Sequence, residues 1–74
     1  MLTDTIPARK RLSVALYHAV LLSDQYQYVL AKKIGMHPSI LNKAIHGAAV
    51  EVADGRWKKL ARLVNVPLDQ IFEP

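Results

Sequence analysis

The sequence predicts an all-α protein, four helices and a final short one around a single core. Three observations carry that expectation. Residues 8–22 hold neither Gly nor Pro, and apolar side chains recur there at helical spacing. Two short amphipathic segments flank Gly35, where a chain leaving a helix needs positive φ. A third apolar stripe, Trp57, Leu60, Ala61 and Val64, follows Asp54, a residue type suited to starting a helix. No repeat, linker or low-complexity stretch divides the chain, so residues 1–74 are read as one domain.

In chain order, residues 1–6 form a short, frayed start, and Pro7 suits a first helical turn because its missing N–H does no harm there. Helix one is expected over residues 8–22, with Leu12, Ala15, Leu16, Ala19 and Val20 on its packing face. Ser23 and Asp24 break the chain, and Asp24 is the expected N-cap of a second helix entered near Gln25 to Gln27. That helix runs to Ile34, Gly35 turns the corner, and a third helix covers residues 38–46. Leu30, Ala31, Ile34, Met36, Leu41 and Ala44 supply the small and apolar inner face that two closely packed helices require. After Gly47, the stretch AAVEVA reads as a loop, and Asp54 caps a fourth helix over residues 55–64. Trp57 is its expected buried anchor. Asn65 ends that helix and Pro67 opens a last short turn over residues 68–72.

The outward face of the third helix gathers Ser39, Asn42, Lys43 and His46, hydrogen-bonding side chains with almost no carboxylate among them. Such a face suits base edges: Asn bonds adenine bidentately, Lys bonds the acceptor edge of guanine, and Ser serves a base or a phosphate. The bland alternative is a solvated helix surface.

Residues 27–47, QYVLAKKIGMHPSILNKAIHG, resemble the helix-turn-helix of the phage Cro and repressor family of DNA-binding proteins, with PSILNKAIHG similar to a Cro recognition helix. The later stretch RWKKLARLVNVPLDQIF is similar to the fourth and short fifth helices of the wider Xre-type regulators. The resemblance implies a compact lambda-repressor-like domain and a homodimeric transcriptional regulator, of repressor type, that places residues 38–46 in the major groove of double-stranded DNA. It implies base contacts from Ser39, Asn42 and Lys43 and a phosphate contact from Gln27 at a helix start. Pro38 departs from the family pattern, standing without donor or acceptor where a base-contacting Gln is usual, so base preference there should differ. His37 and His46 flank the helix as further contacts, and Arg9 and Arg11, in a basic cluster with Lys10, are secondary phosphate candidates. Ile40 either meets a thymine methyl or packs within the domain. The loop after Gly47 is another departure, apolar and carrying Glu51 where basic or polar residues are common, which implies a weaker phosphate clamp or a surface for another chain.

Composition bounds the rest. A chain of 74 residues sits near the size at which one core is marginal alone, which favours self-association, with the AAVEV loop and the Ile71–Phe72 tail as either surfaces for it or parts of the core. A net charge of +4 favours polyanions. With no cysteine there is neither a disulfide framework nor a Cys-based zinc site. His18, His37 and His46 have no mutual i, i+4 spacing, no Gly-rich phosphate loop occurs, and Ser39 lacks a nucleophile elbow; no enzyme, metal or cofactor is expected. No apolar run approaches the length needed to span a bilayer, so a cytoplasmic, nucleoid-associated location is expected. The alternative function is a protein-interaction adaptor or antitoxin-like module on the same fold, and a further one a non-specific architectural DNA binder.

Overall fold

In the computed structural model, which describes residues 8–74, the chain forms α1 (Val14–Leu22), α2 (Gln27–Ile34), α3 (Pro38–Ile45) and α4 (Arg56–Leu63), followed by a 3₁₀ turn at Leu68–Gln70. A small antiparallel ribbon joins β1 (Arg9–Lys10) to β2 (Val50–Glu51), pairing Arg9 with Glu51 and Lys10 with Val50. The protein is thus mostly helical, and the all-α expectation is amended by this ribbon.

Three helices end in one hydrogen-bonded pattern. Gly35 sits at φ 77°, and the amides of Gly35 and Met36 donate to Lys32 and Ala31 carbonyls at 3.2 and 2.9 Å. Gly47, at φ 105°, and Ala48 repeat this on Ala44 and Lys43, and Asn65, at φ 60°, and Val66 on Arg62 and Ala61. These paired bonds close otherwise orphaned carbonyls and turn the chain sharply, the Schellman arrangement that favours Gly and next Asn in the left-handed position. The Gly35 corner sets α3 against α2, and α4 also packs on α2, with Leu30, Ala31, Ile34, Leu41, Ala44, Trp57, Leu60 and Ala61 all buried in the core.

Helix one is shorter than the sequence pattern implies. Ser13 is the N-cap, its hydroxyl accepting from the Leu16 amide at 3.1 Å, a bond that favours starting the helix at Val14. The preceding segment satisfies its backbone elsewhere: Leu12 bridges Phe72, the Glu73 amide donates to the Arg11 carbonyl at 2.9 Å, and the Ser13 amide donates to Ile71 at 2.8 Å. Residues 8–12 are therefore held by the ribbon and the C-terminal tail. Leu12, Leu16 and Val20 enter the core as expected, whereas Ala15 is exposed. The readings made of residues 1–6 and Pro7 lie outside the described residues.

Asp24 is not the cap of α2. Ser23 makes a local turn, its hydroxyl accepting from the Gln25 amide, and the chain enters the helix at Tyr26, whose side chain makes no capping bond. Asp54 does start α4 through its side chain: its Oδ1 accepts the Arg56 amide at 3.0 Å, while Gly55 occupies the cap position itself. The stretch expected as a free loop contributes β2, because Val50 and Glu51 find backbone partners in residues distant in sequence. Ile71 is buried and Phe72 and Val50 pack half-buried on the core, so the tail and the loop serve this chain's own interior. No helix among the described residues is long and apolar enough to cross a membrane.

Candidate nucleic-acid interface

The face of α3 opposite the core is built by its own periodicity. Leu41, Ala44 and Ile45 point inward and are buried, which leaves Pro38, Ser39, Asn42 and Lys43 exposed. Pro38 opens the helix, where its fixed φ fits and no amide is missed. His37 is the N-cap, and its Nδ1 accepts from the Ser39 amide at 3.1 Å and lies 2.8 Å from Ser39 Oγ. At the other end His46 is the C-cap, its Nδ1 2.7 Å from the carbonyl oxygen of Asn42. Six of the residues singled out in sequence, His37 to Ser39 and Asn42, Lys43 and His46, thus lie on or beside one short helix.

Gln27 joins them across the corner. It is the first residue of α2, and its Oε1 accepts from Asn42 Nδ2 at 3.3 Å. That bond orients the Asn42 amide, leaving its Oδ1 and one N–H for an outside partner, and leaves both Gln27 amide hydrogens free of it. Lys43 has no ion-pair partner among the described residues. The face therefore presents neutral donors and acceptors plus one uncompensated cation.

Arg9 and Arg11 are not on helix one. Arg9 lies on β1 and pairs with Glu51 at 3.9 Å, and Arg11 follows it and donates to Glu73 at 3.0 Å. Both flank α3: Arg9 and Ile40 line one shallow depression, Arg11, His46 and Gly47 another. The pairs are solvent-exposed, and such pairs contribute only about 0–1 kcal/mol, so they do not immobilise either guanidinium. Ile40 is 45% exposed, leaving its methyls open at the edge of the face.

Sequence reading passed over two features. Tyr26 and Tyr28 bracket Gln27, both exposed and stacked with ring centroids 5.7 Å apart; the signal was the Tyr-Gln-Tyr triplet at a helix start. Arg56 is a clamp and not a free cation. It grips the Asp54 carboxylate through Nε and Nη2, at 2.7 Å for the shortest contact, and reaches the Gly35 carbonyl with Nη1 at 3.3 Å. Its hydrogen bonds hold the Asp54 carboxyl below its usual range, and the same pairing raises Arg56 above its ordinary value. The α4 entrance is thereby tied to the corner between α2 and α3.

Compared with family models, curated proteins and solved structures, the chain gives no match.

Proposed function

We propose that the protein is a sequence-specific reader of double-stranded DNA, a transcriptional regulator of the Cro and repressor type built on a helix-turn-helix formed by α2 and α3. In this reading α3 enters the major groove, which is about 12 Å wide and accepts one helix with its side chains. Ser39, Asn42 and Lys43 reach base edges, with Asn42 suited to adenine and Lys43 to guanine. In the same reading Gln27, the two tyrosine hydroxyls, Arg9 and Arg11 supply sugar-phosphate contacts on either side of the inserted helix. His37 and His46 close the two ends of the reading surface.

The observation that carries the reading is the Gln27–Asn42 bond across the corner. It brings the exposed side-chain amide of Asn42 within hydrogen-bond reach of the first residue of α2, on a face without carboxylates and at no evident benefit to the core. Two-fold pairing of copies would double the few base pairs one helix reads, with half-sites roughly 34 Å apart.

A second reading, a protein-interaction module, is favoured by Leu22, which is 83% exposed, with Leu21 and Leu63 also open to solvent. Both readings are separated by selecting bound duplexes from a random DNA pool at moderate salt. An enriched motif supports the DNA reader, most strongly as a palindrome with half-sites one turn apart. Folded protein that enriches nothing would move the assignment to the interaction module.

A further inference from the structure

We propose that His37 and Ser39 form a polarised reading pair, in which His37 Nε2–H donates to an acceptor on the duplex while Ser39 Oγ accepts from a base amino group. The inference rests on the DNA-reading proposal and adds to it the direction of each hydrogen bond.

The direction follows from the groups around the imidazole. A backbone N–H only donates, so His37 Nδ1, 3.1 Å from the Ser39 amide nitrogen, must offer its lone pair. The neutral ring carries one N–H, which is then on Nε2. His37 is exposed, and Nε2 has no partner among the described residues. An imidazole donor therefore faces outward beside Pro38, at the end of the helix where Pro38 itself has nothing to donate.

Ser39 is constrained by the same atom. With Nδ1 unprotonated, the 2.8 Å approach of Ser39 Oγ is a hydrogen bond only if the hydroxyl donates, sharing the single lone pair of that nitrogen with the Ser39 amide in a bifurcated arrangement. The hydroxyl has one hydrogen, so it turns lone pairs outward. Phosphate oxygens carry no hydrogen and cannot satisfy it. The exocyclic amino groups of adenine and cytosine can. His37 Nε2–H complements them, matching purine N7, the exocyclic oxygen of guanine or thymine, or a phosphate oxygen.

His46 supplies an internal contrast. Its Nδ1 faces the Asn42 carbonyl, which only accepts, so that nitrogen carries the hydrogen and Nε2 of the neutral ring holds a lone pair. The two histidines at the ends of α3 are thus pinned as opposite tautomers, one presenting a donor and the other an acceptor.

Long-range ¹H–¹⁵N correlation spectra of the free protein, recorded about one pH unit above the usual histidine pKa, distinguish the tautomers directly. The expected result is Nε2–H for His37 and Nδ1–H for His46; an Nδ1–H form of His37 overturns the proposal. Binding is then measured on the duplex that the wild type enriches from a random pool. His37→Ser keeps a capping oxygen but loses the outward N–H, and is expected to bind about 3- to 10-fold more weakly, the effect of one net hydrogen bond. That penalty should vanish on one duplex of a series lacking a single acceptor each: a purine N7, an exocyclic oxygen, or one phosphate charge. Equal binding by variant and wild type, or a penalty surviving on every modified duplex, overturns the assignment. Ser39→Ala should weaken binding similarly, and a Ser39 penalty removed by a methylphosphonate would contradict the acceptor role. A wild type that enriches no duplex defeats the DNA reading itself, whereas an enriched duplex with the wrong tautomer or an indifferent His37→Ser defeats only the pair.

Discussion

Asn42 links α3 to the start of α2 through its side-chain amide, which donates to Gln27, while its backbone carbonyl oxygen faces His46 at the end of its own helix. Asn42→Ala is expected to cost about 1–3 kcal/mol on the selected duplex and to relax base choice at one position, as a lost bidentate contact does. Titrations against selected and random duplexes check it; equal losses on both would remove the base-reading role. Asp54 tests a different contribution, its clamp on Arg56 at the start of α4. Its carboxyl is held low by the Arg56 hydrogen bonds, so it stabilises the fold above the ordinary carboxylate range and loses that effect as pH falls through the lowered value. Asp54→Asn retains a capping oxygen and removes the charge. Thermal unfolding should show wild type ahead of the variant at neutral pH, with the gap closing below about pH 4. At this scale the shared exposure of Ser39, Asn42 and Lys43 was legible, because helical spacing alone puts them on one side of α3. Their hydrogen-bond directions were not, since a tautomer depends on which atom of a neighbour lies opposite.

Helix ends decide how the elements meet. An alanine at Gly35 would find no atom within 4 Å of its Cβ, so the cost of Gly35→Ala is the left-handed backbone itself, about 1–2 kcal/mol. Asn65→Gly at the equivalent corner of α4 should be neutral or stabilising, because Gly adopts that φ without penalty. Denaturant midpoints of the two variants moving in the same destabilising direction would contradict the shared geometry. These corners explain why α2, α3 and α4 were readable: Gly35, Gly47 and Asn65 mark positions where few other residues fit. The start of α1 was not readable in the same way. Residues 8–12 are compatible with a helix, and only their pairing with residues near 50 and 72 gives them another set of backbone partners. Strands of two residues leave no periodic trace. Ser13 was the available local signal, an N-cap type whose hydroxyl does begin the helix.

For the molecule as a whole, the net charge of +4 matters less than its distribution. Arg9 and Arg11 sit beside α3 through the ribbon and the tail, so the same contacts that complete the fold also bring two guanidinium groups to the edge of the exposed α3 face. Arg9→Ala should weaken binding to all duplexes by a similar factor and reduce the slope of log affinity against log salt by about one, the signature of one lost phosphate contact. A change confined to the selected sequence would assign Arg9 to base recognition instead. The sequence offered the cluster but placed it on a helix, since its ion pairs with Glu51 and Glu73 join distant parts of the chain. Leu21 and Leu22 on α1 and Leu63 on α4 are exposed apolar side chains, the feature behind the alternative proposal of a protein-interaction module. If α3 and the start of α2 form the DNA-contacting face, an NMR titration of the ¹⁵N-labelled protein with the selected duplex will map it. The predicted result is a continuous footprint over Gln27, His37, Ser39, Asn42, Lys43 and His46, with Leu22 and Leu63 undisturbed. A footprint centred on Leu22 and Leu63, or none on α3 despite saturation, would contradict it.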